Sequence, residues 1–186
     1  MNWNRLRDSL RCLFLPRSHR RRIRAARRAL RKIRPWLCEP SGSPRVFGYL
    51  RKVDALSFEE LVLQCFVDMG WRVRRGTRYS GDGGVDGHVR LPFDHYWTAI
   101  QCKRYSSAID PTHVREFAEI VYPLRGLFVH TGRTGQQSHQ ARGESVTMVS
   151  GDRLIALING NLSLNFRGRS YRQGPDSLAP FERKRI

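Results

Sequence analysis

Apolar positions change their period along the chain. Phe58, Leu61, Val62, Cys65, Phe66 and Met69 recur at three- and four-residue spacing and predict an amphipathic helix with Gly70 as its stop. Ser57, with Glu60 three residues on, reads as a capping box at its start. The period then shortens to that of strands over residues 71–75, 86–91 and 96–103, the last two joined by a turn at residues 92–95. Pro111 opens a second helix running to about Tyr122. Residues 127–130 form a strand of buried type, and a weaker helix follows the loop TGRTG. A strand at 146–149, a helix at 153–158 capped by Asp152 and one more strand pattern at 162–166 complete the series. The order helix, three strands, helix, strand predicts an α/β domain whose mixed sheet carries a hairpin in its middle.

Two narrower apolar stripes precede that domain. Trp3, Leu6, Leu10 and Leu13 form one, and Ile23, Ala26, Leu30 and Ile33 the other. Pro16 separates them and Pro35 ends the second, so two short amphipathic helices are expected. Charge gives these helices their character. The chain has 34 Lys and Arg against 16 Asp and Glu, a net +18. The first 40 residues hold 13 of the bases and only Asp8 and Glu39 as acids, which makes them +11 and leaves +7 for the remainder. Arg20, Arg21, Arg24, Arg27, Arg28, Arg31 and Arg34 crowd the polar side of the second helix. Such an arm can grip phosphates, dock on the domain or a partner, or act as an organellar presequence or membrane-surface helix.

The expected division is a basic arm over 1–40, a linker over 41–52, the α/β domain over 53–160 and a basic tail over 161–186. No internal repeat is visible. No run of about 18 apolar residues predicts a membrane span, and the arm lacks the cleavage pattern of a secretory signal. Cys12, Cys38, Cys65 and Cys102 form no C-x-x-C pair, so buried thiols in a reducing cytoplasm are expected rather than a zinc site. The sequence pI of about 11.1 points to a polyanion, with nucleic acid ahead of membrane.

Candidate chemistry collects around two stretches. Residues 79–87, YSGDGGVDG, wrap four glycines around Asp82 and Asp86. The third strand ends in AIQCKRY, where Ile100 and Cys102 face one way and Gln101 and Lys103 the other. The hairpin through 92–95 can bring Asp86 alongside Gln101. An acid, an amide oxygen and an ammonium would then meet at one strand end, a set suited to a hard cation and a phosphodiester. Each part also has an ordinary reading: Asp82 as a loop cap, Glu60 as the capping-box acid, Gln101 and Lys103 as surface polar groups. The loop at 130–135 offers Thr131 and Arg133 to a phosphate or simply turns the chain. Arg74, Arg75, Arg78 and Arg104 flank the site as candidate DNA contacts, as do Arg24, Arg27, Arg28 and Arg31 of the arm. His88, His95 and His113 lack metal-like spacing and are read as structural.

The loop GDGGVDG, the strand QCKRY and the earlier FEELVLQ and MGW together resemble the Mrr-like restriction endonucleases, over roughly residues 54–159. That family belongs to the PD-(D/E)xK nuclease superfamily, here in its Q-x-K variant. The resemblance implies a restriction-endonuclease-like fold and a metal-dependent DNA endonuclease of restriction or defence type. It makes Asp86 the motif aspartate, puts Gln101 at the usual acid position and makes Lys103 the catalytic lysine. Glu59 would complete the metal shell together with the backbone carbonyl of Cys102, around Mg²⁺ or alternatively Mn²⁺. DNA is the implied partner, with homodimerisation open and no membrane. The expected location is a bacterial-type cytoplasm, at the nucleoid, with organellar import left open. A non-cleaving DNA-binding module on the same scaffold and a junction-resolvase-like repair nuclease are the competing readings.

Overall fold

The computed structural model describes residues 16–76, 84–92, 94–166 and 169–172. Helix α1 (Arg17–Ile33) is followed by a 3₁₀ turn at Arg34–Cys38, helix α2 (Gly42–Leu50) and helix α3 (Ala55–Asp68). Strands β1 (Arg72–Arg75), β2 (Gly87–Arg90) and β3 (Thr98–Lys103) come next, then α4 (Pro111–Val121) and β4 (Gly126–His130). Helix α5 (Gln136–Ala141), β5 (Val146–Val149) and α6 (Gly151–Asn159) complete the main unit. Strands β6 (Ser163–Phe166) and β7 (Arg169–Arg172) pair as a separate antiparallel hairpin.

The sheet runs β1-β2-β3-β4-β5, antiparallel across β1, β2 and β3 and parallel across β3, β4 and β5. It is the expected mixed α/β sheet, flanked by helices, with the β2–β3 hairpin in its middle. The parallel half needs a crossover, which α4 supplies between β3 and β4. Asp110 caps α4 by accepting from Thr112 N at 2.8 Å, and Pro111 stands in its first turn.

Two apolar layers sandwich the sheet. On one face α3, α1 and α6 pack over Val73, Val89, Ile100 and Leu127. On the other, Phe117 and Val121 of α4 meet Ala99, Phe128 and Val146. Helix α3 is the central element: Phe58 and every residue from Glu60 to Val67 are buried. It is closed by Gly70 at φ 81°, after which Trp71 stacks back on Phe66 at 5.4 Å. Its N-cap is Asp54, which accepts from Ser57 N at 2.9 Å, so the Ser57–Glu60 capping box does not form. Ser150, not Asp152, occupies the N-cap position of α6, and Asp152 lies in its first turn.

The reason α3 is buried all round is α1. Ile23, Ala26, Leu30 and Ile33 of α1 are each no more than 2 % exposed. Arg27 Nε donates to Gln64 Oε1 at 3.1 Å, and Arg34 pairs with Asp68 at 2.7 Å. The second stripe of the basic arm is therefore packed against the nuclease-like core. The first stripe, over residues 3–13, lies outside the described residues. Where a linker is expected over 41–52, α2 buries Val46 and Leu50 in the same layer. The three cysteines among the described residues are free thiols, Cys65 and Cys102 buried and Cys38 exposed.

Candidate active site

Strand β2 sets the position of Asp86. Its backbone N–H donates to Ile100 O at 2.8 Å, which extends the β2–β3 ladder by one residue and places Asp86 opposite Gln101. One carboxylate oxygen of Asp86 accepts from Cys102 N at 2.6 Å, a bond that fixes the side chain against the strand. Gln101 is only 6 % exposed, and its Nε2 donates to Gly84 O at 2.6 Å. A carbonyl can only accept, so this bond decides which end of the amide faces the loop and turns Oε1 away from it. That Oε1 is buried and has no hydrogen-bond partner among the described residues. Gly84 makes the arrangement possible: it sits at φ +84°, and a Cβ there would lie 2.5 Å from Gln101 Nε2.

Glu59 reaches the same place from the first turns of α3. Its carboxyl is pushed up to about 8 by burial first, then by the charges of Asp86 and Glu60, with Arg22 of α1 offsetting part of this. Asp86 is pushed up to about 6 by burial, against the Cys102 N–H and the Lys103 ammonium, which both favour its charged form. Burial and the charge of Asp86 thus disfavour the ionised form of Glu59, and among the described residues Arg22 offsets only part of this. Such a pair, with an unpartnered amide oxygen beside it, is short of positive charge. All the side-chain donors are hard oxygens, which fits Mg²⁺ or Mn²⁺ better than zinc. Among the described residues no group of three or more His, Cys, Asp or Glu gathers, so the donor set rests on two acids and an amide.

The β3 and β4 ends that frame the site are tied together. Thr131 Oγ1 accepts from Tyr105 N and donates to Tyr105 O, both at 2.9 Å. Arg133 N donates to Ser107 O at 3.0 Å. Arg51, at the end of α2, donates to Thr131 O at 3.2 Å, and Arg104 donates to Arg51 O at 3.0 Å. Lys103 lies beside His130 in the parallel register. Burial drives the His130 imidazole down to about 4, so it is neutral next to that lysine at ordinary pH.

The candidate DNA contacts divide by what they already touch. Arg75 is a correction: its side chain is 6 % exposed and paired with the buried Glu60 at 3.0 Å, holding β1 to α3. Thr131 is another, because it is 1 % exposed and its hydroxyl is used in both directions on Tyr105. Arg27 is half-buried on Gln64, whereas Arg24, Arg28 and Arg31 are exposed on the outer side of α1. Arg104 and Arg133 are exposed at the sheet end, and Arg74 is exposed with its guanidinium 4.6 Å from the centroid of the Trp97 ring. Arg78 and Asp82 lie outside the described residues. The carbonyl of Gly84 is the part of the site that pattern alone missed. The signal was there in the glycine run, but only the fold shows which glycine faces Gln101.

A family model described as a restriction endonuclease matches residues 50–158. That span starts at the end of α2 and closes inside α6, so it contains the whole sheet and both faces of the site. Searches of curated proteins and of solved structures return no match. Over more than half its length, on a mixed sheet that brings Asp86, Gln101 and Lys103 to one end, the chain belongs to the Mrr-like restriction endonuclease family.

Proposed function

We propose that the protein is a divalent-metal-dependent DNA endonuclease, acting in restriction or defence, with its site at the Asp86 end of β2 and β3. The observation that carries this reading is the meeting of Glu59 and Asp86 with the buried, unpartnered Oε1 of Gln101, beside Lys103. Those two carboxylates, that amide oxygen and the backbone carbonyl of Cys102 would hold Mg²⁺, or Mn²⁺ in its place. When bound, such an ion lowers the pKa of a water and offsets charge on a phosphoryl oxygen.

The rest is done by the chain itself. The Cys102 N–H holds one oxygen of Asp86, and the other would be the one to meet the cation. Lys103, which already biases Asp86 towards its charged form, is placed to donate to the attacking water or to a non-bridging phosphate oxygen. Arg24, Arg28 and Arg31 on α1, with Arg104 and Arg133 around the sheet end, supply phosphate contacts that do not read sequence.

Cleavage of supercoiled plasmid with Mg²⁺ and with EDTA tests the reading. Nicking that needs the cation, and that Asp86→Asn and Lys103→Ala each abolish while DNA is still bound, is the expected result. Cleavage by either variant at the wild-type rate would refute the assignment. Binding without cleavage would favour a non-cleaving module, for which the neutral Gln101 is the motive. A strong preference for four-way over linear DNA would favour a repair nuclease.

A further inference from the structure

Among the described residues, the face of the sheet opposite α3 is only half covered. Helix α4 lies over β4 and β5, and its Phe117 and Val121 close that half. Over β1, β2 and the start of β3 the row Arg74, His88, Ala99 runs across three strands in register. Above that row lies a cavity of about 550 Å³, bounded on the far side by the end of α4 and the turn that follows it. The volume falls in the range of about 300–1,000 Å³ typical of small-molecule sites.

Three features narrow what could enter. Its position is the first: Val85 and Gly87, the residues on either side of Asp86, both line it. Its lining is the second. Trp97 and Arg74 both line it, with the planar Arg74 guanidinium over the Trp97 ring, 4.6 Å from its centroid. The remaining wall is apolar apart from His88 and Arg125. The third is the rim, where Ile120, Tyr122 and Leu124 are 48 %, 75 % and 56 % exposed, although apolar groups of this size are ordinarily covered. A bare phosphate would want donors on every side. A flat, uncharged ring system with polar edges, tethered to a phosphate at Asp86, matches the lining better.

We propose that this cavity receives one unstacked nucleobase of the DNA strand held at Asp86, stacked on the Arg74 guanidinium that Trp97 backs. The inference rests on the nuclease reading above and adds a specificity subsite to it. The enzyme would then favour sites where a base leaves the helix at low cost, next to a mismatch or an unpaired nucleotide.

The test uses the full chain and duplexes that carry one mismatch moved stepwise along the sequence. Binding is measured by anisotropy in Ca²⁺, and cleavage in Mg²⁺. A mismatch at one fixed offset from the cleaved bond is expected to tighten binding about tenfold over the perfect duplex. Trp97→Ala should reduce that preference to less than about threefold, and Trp97→Phe should keep most of it. Should Trp97→Ala fail to fold, Leu124→Trp, which adds bulk at the exposed rim, should remove the preference instead. Cleavage that proceeds with no dependence on mismatch position overturns the base subsite and leaves the nuclease reading standing. Failure to bind or cleave any DNA overturns both. A DNA-free dimer that Tyr122→Ser dissolves would show that a second copy covers the cavity, and would overturn the subsite as well.

Discussion

Glu59→Gln is expected to stabilise the metal-free protein at alkaline pH. The carboxyl of Glu59 rises from 4.5 to about 8 in the folded chain because burial and the neighbouring Asp86 and Glu60 disfavour its charge. Between those values the folded state holds a proton that the unfolded state has released. Stability therefore falls as pH rises through this window, and the penalty is complete above about 8. At about 1.36 kcal/mol per pH unit the full displacement would be worth about 5 kcal/mol. The carboxyl is partly exposed, so solvent screening reduces this to on the order of 2 kcal/mol. For a chain of this length that is a rise of about 4–8 °C in Tm. Melting curves of both proteins in EDTA should coincide near pH 4 and separate by this amount at pH 9. Added Mg²⁺ should close the gap at pH 9, because a cation at the site supplies the missing charge and favours the wild type. A Tm difference that does not change with pH, or a variant less stable than wild type at pH 9, would refute the electrostatic account of the site.

Gln101→Glu exchanges the Nε2 donor for a third acid facing Gly84 O, so its Tm in EDTA should fall by several degrees and recover in Mg²⁺. In the same variant the Mg²⁺ concentration for half-maximal cleavage should drop, and a titration showing an unchanged requirement counts against Gln101 as a ligand. Gly84→Ala forces a residue at φ +84° against the Gln101 amide, so cleavage should fall by about tenfold or more while far-UV circular dichroism stays native. Leu30→Ala opens a void between α1 and α3 and should cost about 2–5 kcal/mol in denaturant unfolding. The triple change of Arg24, Arg28 and Arg31 to Ala should leave stability near wild type and reduce the slope of log affinity against log salt by about 2.7, at about 0.9 per contact. An unchanged slope would remove α1 from the DNA interface.

The succession of periods along residues 57–158 was enough to specify the elements, because each lies on a face buried against a neighbour that the same pattern serves. The mixed character of the sheet followed from the order of the elements, three consecutive strands after one helix and a further strand after the next. Asp86, Gln101 and Lys103 were legible as a set, since strand alternation and the turn at 92–95 bring them to one end whatever the details of packing. Glu59 came into view through the family resemblance, because no local pattern links a helix to a strand end.

What only the tertiary structure decided concerns polar and charged groups, whose roles depend on what happens to lie opposite. Arg75 and Arg24 are alike in sequence, yet Glu60 claims the first and solvent surrounds the second. Arg27 and Arg34 looked like part of a phosphate-binding stripe, but Gln64 and Asp68 lie under them once Leu30 and Ile33 are buried. The cap of α3 moved to Asp54 because Glu60 is drawn into a buried pair rather than left on the surface. The orientation of the Gln101 amide needed the Gly84 carbonyl, and the glycine run alone does not say which of its carbonyls meets that amide. Hydrophobic order is set by spacing along the chain, which the sequence contains in full. Electrostatic roles are set by separations between distant residues, which exist only after the chain has folded.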